Sequence, residues 1–101
     1  RNGHIAFNEP GSTFDSRTRV VDLSLQTLQD NSKYFDSVED VPKQAITMGL
    51  ETIMESKRIV LMTNGKHKLT ILNVAMNGEI TETVPASILQ RHNNVEVYYC
   101  D

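Results

Sequence analysis

The chain has no Trp, a single Cys, three Pro and five Gly in 101 residues. One cysteine, Cys100, cannot close an internal disulfide, so nothing requires an oxidising compartment and a cytoplasmic location is the expectation. Apolar runs stop at about five residues, against the ~20 that span a bilayer, so no membrane partner is expected. Basic charge is not in excess: 10 Lys+Arg face 13 Asp+Glu, for a net charge of −3. That balance argues against a general nucleic-acid binder. His4, His67 and His92 lack metal-ligand spacing, and one Cys cannot make a Cys-rich zinc site, so no metal is expected. Arg1-Asn2-Gly3-His4 leads into polar turn residues and carries no signal-peptide pattern. An initiating Met is also missing, and the densest functional-looking stretch stands at the very start, so a piece of a longer protein is expected.

What is present reads as globular. With 39% hydrophobic and 23% charged residues the composition is ordinary. Residues 1–19 are rich in turn formers, among them Gly3, Pro10, Gly11 and Asp15. Arg19 to Leu23 is a short extended run, after which Ser24 can cap a helix running towards Tyr34. Apolar spacing at Val41, Ala45, Met48 and at Ile46, Leu50, Ile53 predicts a helix over residues 41–55, capped by Asp40. Arg58 to Thr63 is a continuous apolar strand, as in a parallel sheet covered on both faces. Lys66 to Met76 predicts a helix buried through Leu69, Leu72 and Met76 and ended by Gly78. Pro85 opens a short helix with Ile88 and Leu89, and Val95 to Tyr99 is a last strand. Alternating helices and strands predict an α/β domain. Two well-signalled strands are too few for a parallel sheet, a second sign of a larger whole.

Three constellations could carry chemistry. In the first, His4 and Glu9 lie five residues apart in a loop bounded by Gly3 and Pro10-Gly11. An imidazole titrates near neutrality, and a carboxylate can fix its tautomer. The alternative is a turn-capping His4 and a solvated Glu9. In the second, Thr63-Asn64-Gly65-Lys66-His67-Lys68 follows a strand and opens a helix, where backbone N–H groups and lysines can receive an anion. A solvated basic turn is the equal alternative. The third is Ser16-Arg17-Thr18-Arg19 with Lys33, suited to phosphate or to plain surface charge. Cys100 is poorly placed as a nucleophile. The four methionines fit apolar patterns, and Tyr98-Tyr99 fits strand packing.

Taken in order, the motifs resemble those of glucosamine-6-phosphate deaminases. They are Asn2-Gly3-His4-Ile5-Ala6-Phe7-Asn8-Glu9-Pro10-Gly11, Ser16-Arg17-Thr18-Arg19, Asn31-Ser32-Lys33-Tyr34-Phe35, Val41-Pro42-Lys43-Gln44-Ala45, Gly65-Lys66-His67-Lys68 and Val84-Pro85-Ala86-Ser87-Ile88-Leu89-Gln90-Arg91-His92. The resemblance covers essentially the whole chain. It implies a three-layer α/β/α Rossmann-like fold with a mostly parallel sheet, of which residues 1–101 are the C-terminal portion of a single domain and the N-terminal portion is absent.

The implied reaction is a deaminating aldose–ketose isomerisation of glucosamine 6-phosphate and water to fructose 6-phosphate and ammonium, classed as hydrolytic, with no cofactor. By resemblance His4 opens the sugar ring, while Glu9 and Asn2 hold and tune its imidazole. Asn2 stands where the family often has Asp. Lys68 matches a phosphate-binding lysine, and Lys33 stands where many relatives carry an Arg. The family's aspartate base and a phosphate-cradling loop fall before this chain begins, so the isolated chain is expected to be inactive. Ser12 and Arg19 match two residues of an allosteric anion site in hexameric relatives, or are structural. Val21 replaces that site's lysine, so weak or no activation by N-acetylglucosamine 6-phosphate is expected. The partner is a small amino-sugar phosphate, and the parent is either a monomer or a homo-oligomer. A 6-phosphogluconolactonase-like hydrolase and a non-catalytic phosphosugar sensor are the alternatives.

Overall fold

The structure, a computed structural model, describes residues 2–101; Arg1, counted above with the polar start, lies outside the described residues. Residues 2–18 form turns joined by one isolated bridge between Ile5 and Asn8. Strand β1 (Arg19–Asp22) pairs antiparallel with β2 (Gln44–Thr47), Arg19 opposite Thr47 and Asp22 opposite Gln44. Between them lie helix α1 (Leu25–Asn31) and 3-10 turns at Ser32–Tyr34 and Val38–Asp40. Ser24 caps α1 as its spacing predicts, its side chain accepting the Thr27 N–H.

The helix expected over residues 41–55 is not formed. Residues 44–47 are strand β2, and only Leu50–Met54 is helical, as α2. The periodicity misleads because Ala45 and Thr47 turn inwards while Gln44 and Ile46 point out, a period of two that pairing with β1 imposes. Gly49 then breaks the chain direction, and a Cβ there would stand 2.1 Å from the Ser16 carbonyl oxygen.

Strand β3 (Ile59–Asn64), helix α3 (Leu69–Asn77) and strand β4 (Val95–Cys100) make a parallel β–α–β unit, Ile59 opposite Val95 and Asn64 opposite Cys100. This is the expected α/β arrangement, with a 3-10 turn (Pro85–Arg91) where a short helix was predicted. Among the described residues the expected cover on both faces of β3 is not found: burial alternates, leaving Val60 45% and Met62 76% exposed. Helix α3 likewise buries Ala75 rather than Leu69. Gly78 ends it, donating its N–H to the Val74 carbonyl at 2.9 Å. The core sits where α2 and α3 meet the 85–91 turn, around the fully buried Leu50 and Leu89. Each such leucine stabilises the fold by about 1.5–3 kcal/mol. Among the described residues no helix is long and apolar enough to cross a membrane.

Candidate active site

The loop that carries His4 is held by polar anchors. Asn8 is fully buried. Its amide donates to the carbonyls of Ile5 (3.1 Å) and Met48 (2.7 Å), and its oxygen accepts from Arg19 at 2.9 Å. Buried Thr47 accepts the Phe7 N–H through Oγ1 at 3.1 Å. Buried Ser16 takes the N-terminus of α2: its Oγ accepts from Leu50 N–H (2.9 Å) and its carbonyl from Glu51 N–H (3.0 Å). Gly49, the residue before α2, has no side chain to cap it, so Ser16 supplies the cap from a distant loop. At the other end, Gly3 sits at φ 81°, and a Cβ there would meet the Val84 side chain at 2.5 Å.

On this frame His4 is exposed. Its Nδ1 lies 2.9 Å from the Ala6 carbonyl. A carbonyl only accepts, so Nδ1 carries the proton and Nε2 of the neutral ring is left as the proton acceptor. Ala6 turns its carbonyl into this position at φ 51°, a left-handed conformation that L-residues adopt at a cost of about 1–2 kcal/mol. Asn2 Oδ1 accepts the main-chain N–H of His4 at 3.2 Å. Asn2 thus holds the backbone of His4 rather than its ring.

Glu9 departs from expectation. Its Oε1 accepts from the hydroxyls of Ser24 (2.9 Å) and Thr27, on the first turn of α1, and not from His4. Arg19 is engaged by Asn8 and, at 3.2 Å, by the Arg17 carbonyl, a structural use of that side chain. Ser12 donates its main-chain N–H to the Glu9 carbonyl at 3.0 Å, and Val21 is half-buried.

A cleft of about 410 Å³ is lined by Asn2, His4, Gln26, Thr27, Asp30, Lys33, His67 and Lys68. It brings together four sequence-predicted residues, Asn2, His4, Lys33 and Lys68, from the loop, the turn after α1 and the turn before α3. A second cleft of about 400 Å³ shares His4 and Lys68 and continues over Gly3, Thr63 and the apolar face of α3. Lys68 lies at the start of α3, after Gly65 at φ 93°, so its charge adds to the positive end of the helix dipole. Lys33 packs its ammonium 5.1 Å from the Tyr34 ring centre. Lys66 is exposed and lines neither cleft. Sequence reasoning missed Asn8, Ser16, Ser24 and Thr27 as the residues that fix the site. Only the Ser24–Thr27 pair left a signal, as a helix cap.

These features define an α/β protein with an imidazole and two lysines meeting in a cleft beyond the carboxyl end of a parallel strand. The chain belongs to the family described as glucosamine-6-phosphate isomerases/6-phosphogluconolactonase, whose pattern matches residues 3–98. It is 59% identical over 97 residues to a glucosamine-6-phosphate deaminase of Streptococcus uberis, covering 96% of this chain and 42% of that protein. It is 53% identical over 100 residues to the deaminase of Staphylococcus haemolyticus, covering 99% and 41%. A solved structure of a monomeric glucosamine-6-phosphate deaminase of the NagB superfamily superposes with a TM-score of 0.92 at 50% identity, covering 98% of this chain and 41% of that one. The chain therefore spans about two fifths of the length of the relatives it matches. The relatives' names carry deamination and the family's description isomerisation; the deaminase relatives do not support the expected hydrolytic label.

Proposed function

We propose that this chain forms the C-terminal part of a glucosamine-6-phosphate deaminase and contributes its ring-opening and phosphate-holding groups. The cleft that His4, Lys33 and Lys68 share is the observation that carries the reading. A sugar phosphate presents a dianion at one end and a hemiacetal at the other. Two ammonium groups suit the first, and an imidazole with a free Nε2 suits the second. In ring opening, His4 Nε2 takes the proton of the anomeric hydroxyl and returns a proton to the ring oxygen. The bond from the anomeric carbon to that oxygen breaks, and the anomeric carbon becomes an aldehyde. The Nδ1 bond to Ala6 keeps the ring oriented through both transfers. The later proton shift between the two carbons of the sugar needs a base. We assign that base to the part of the parent outside this chain, and the ligand to a small amino-sugar phosphate.

The name of the family also covers lactonases, so the test uses both substrates. The longer parent protein, given glucosamine 6-phosphate, releases ammonium and forms fructose 6-phosphate. Given 6-phosphogluconolactone, it hydrolyses it no faster than buffer does. Lactone hydrolysis without ammonium release would replace this reading with the hydrolase. Binding of the sugar phosphate with neither reaction would replace it with a sensor.

A further inference from the structure

The interaction that the sequence did not foresee is the one Glu9 makes. Its Oε1 receives both the Ser24 and the Thr27 hydroxyl. Each hydroxyl has one proton, so with both given to Glu9 the Ser24 oxygen still has lone pairs for the Thr27 N–H it caps, at 3.2 Å. The pattern is closed: one carboxylate oxygen, two hydroxyls and one helix N-terminus satisfy one another. Among the described residues both donors go to Oε1 and none to Oε2. Thr27 also lines the cleft that holds His4 and Lys33, so the clamp ties the carboxylate to a residue of the cleft wall. Both donors stand on or beside the first turn of α1. Where α1 sits therefore determines where Glu9 sits.

We propose that Ser24 and Thr27 are positioning residues that act through Glu9, coupling the loop of His4 to helix α1 and so fixing where that loop presents the imidazole. The inference rests on the deaminase reading for its kinetic consequences and on the geometry alone for its structural ones. Thr27 is the cleaner probe: its hydroxyl also lies 3.1 Å from the Ser24 hydroxyl, but the cap itself is Ser24 Oγ on the Thr27 N–H, which Thr27→Val leaves in place.

In the longer parent, Thr27→Val keeps the shape and removes the donor. It is expected to lower kcat about 10- to 100-fold, the range that small misplacement of a reacting group produces, with KM for glucosamine 6-phosphate changed less than about twofold. Thr27→Ser restores the hydroxyl and is expected to return kcat to within about twofold of the parent. In a Glu9→Ala background, which removes the acceptor, Thr27→Val should have less than about a twofold further effect, since the pair acts as one unit. Wild-type kcat in Thr27→Val, equal loss in Thr27→Ser, or full additivity with Glu9→Ala would each overturn the proposal. Melting temperatures of the parent, Thr27→Val, Glu9→Ala and the double variant form a second cycle that needs no turnover. If the parent releases no ammonium, the deaminase reading fails, and the clamp stands or falls on that thermal cycle alone. Non-additive shifts support it and additive shifts reject it.

Discussion

Asn8 is where the loop, the end of β2 and Arg19 meet, and replacing it by Ala is the most informative single perturbation of the frame. Its side chain makes three hydrogen bonds in a fully buried site: two given by the amide, to Ile5 and Met48, and one received from Arg19. Each such bond contributes about 1 kcal/mol net. The Ile5 carbonyl keeps the Asn8 main-chain N–H at 3.0 Å and the Met48 carbonyl keeps the Thr47 hydroxyl at 3.3 Å, so neither acceptor is left bare. The loss sums to about 3 kcal/mol. In a parent of the relatives' size, that lowers the melting temperature by about 6–12 °C at the usual 2–4 °C per kcal/mol. Calorimetry on the parent and on Asn8→Ala measures it directly. Asn8→Asp sharpens the test, because it has the same shape and can still receive Arg19 but presents an oxygen to two carbonyls. It should be at least as unstable as Asn8→Ala. If Asn8→Asp melted within about 2 °C of the parent, the amide would not be donating to Ile5 and Met48, and the account of the loop would be wrong.

Other perturbations follow from the same contacts. Gly49→Ala places a Cβ against the Ser16 carbonyl at 2.1 Å, where backbone must move; urea unfolding should show a loss of about 2–3 kcal/mol. Ser16→Ala removes the remote cap of α2 and should cost about 1–2 kcal/mol in the same assay, with Ser16→Thr intermediate. Tyr99 is pushed up to about 12, chiefly by its hydrogen bond to Asp101. Its contribution is therefore complete below about pH 10 and lost as pH rises through 12, and a tyrosinate absorbance titration should lose its last step in Tyr99→Phe. Glu96 is held low, first by the Tyr98 hydroxyl and then by Arg58, and Glu55 is held low by Arg17. Stability from these two is full above the ordinary carboxylate range and fades as pH falls through their lowered values. Glu55→Gln with Glu96→Gln should flatten the acid side of a melting curve against pH.

Most local structure was legible because it is set locally. Ser24 announces a helix start, the 58–63 run a strand, and Pro85 a short helix that forms as a 3-10 turn, each through a preference that acts within a few residues. Residues 41–55 were misread because their pattern fits a helix, and only pairing with β1, more than twenty residues earlier, turns four of them into a strand. The candidate site divides in the same way. The residue types of the cleft, His4 with Lys33 and Lys68, stood in recognisable motifs. Their anchors did not, because Asn8 with Met48 and Ser16 with Leu50 are contacts across tens of residues between ordinary polar side chains and backbone. The partners of Glu9 were hidden for another reason. Spacing pointed to the imidazole, while the fold offers the carboxylate two hydroxyls on a neighbouring helix. The open face of β3 was hidden because a continuous apolar run does not say which of its faces the fold leaves exposed, and Val60 and Met62 stand on that face.

The central claim is that His4 moves the ring-opening proton while Lys68 holds the phosphate. Steady-state kinetics of ammonium release by the parent, His4→Gln and Lys68→Ala separate the two roles. His4→Gln is predicted to lower kcat by about 10²–10⁴-fold, the usual contribution of a general acid–base group, with KM little changed. Lys68→Ala is predicted to raise KM more than it lowers kcat. Near-parental turnover by His4→Gln, or an unchanged KM in Lys68→Ala, would contradict the account.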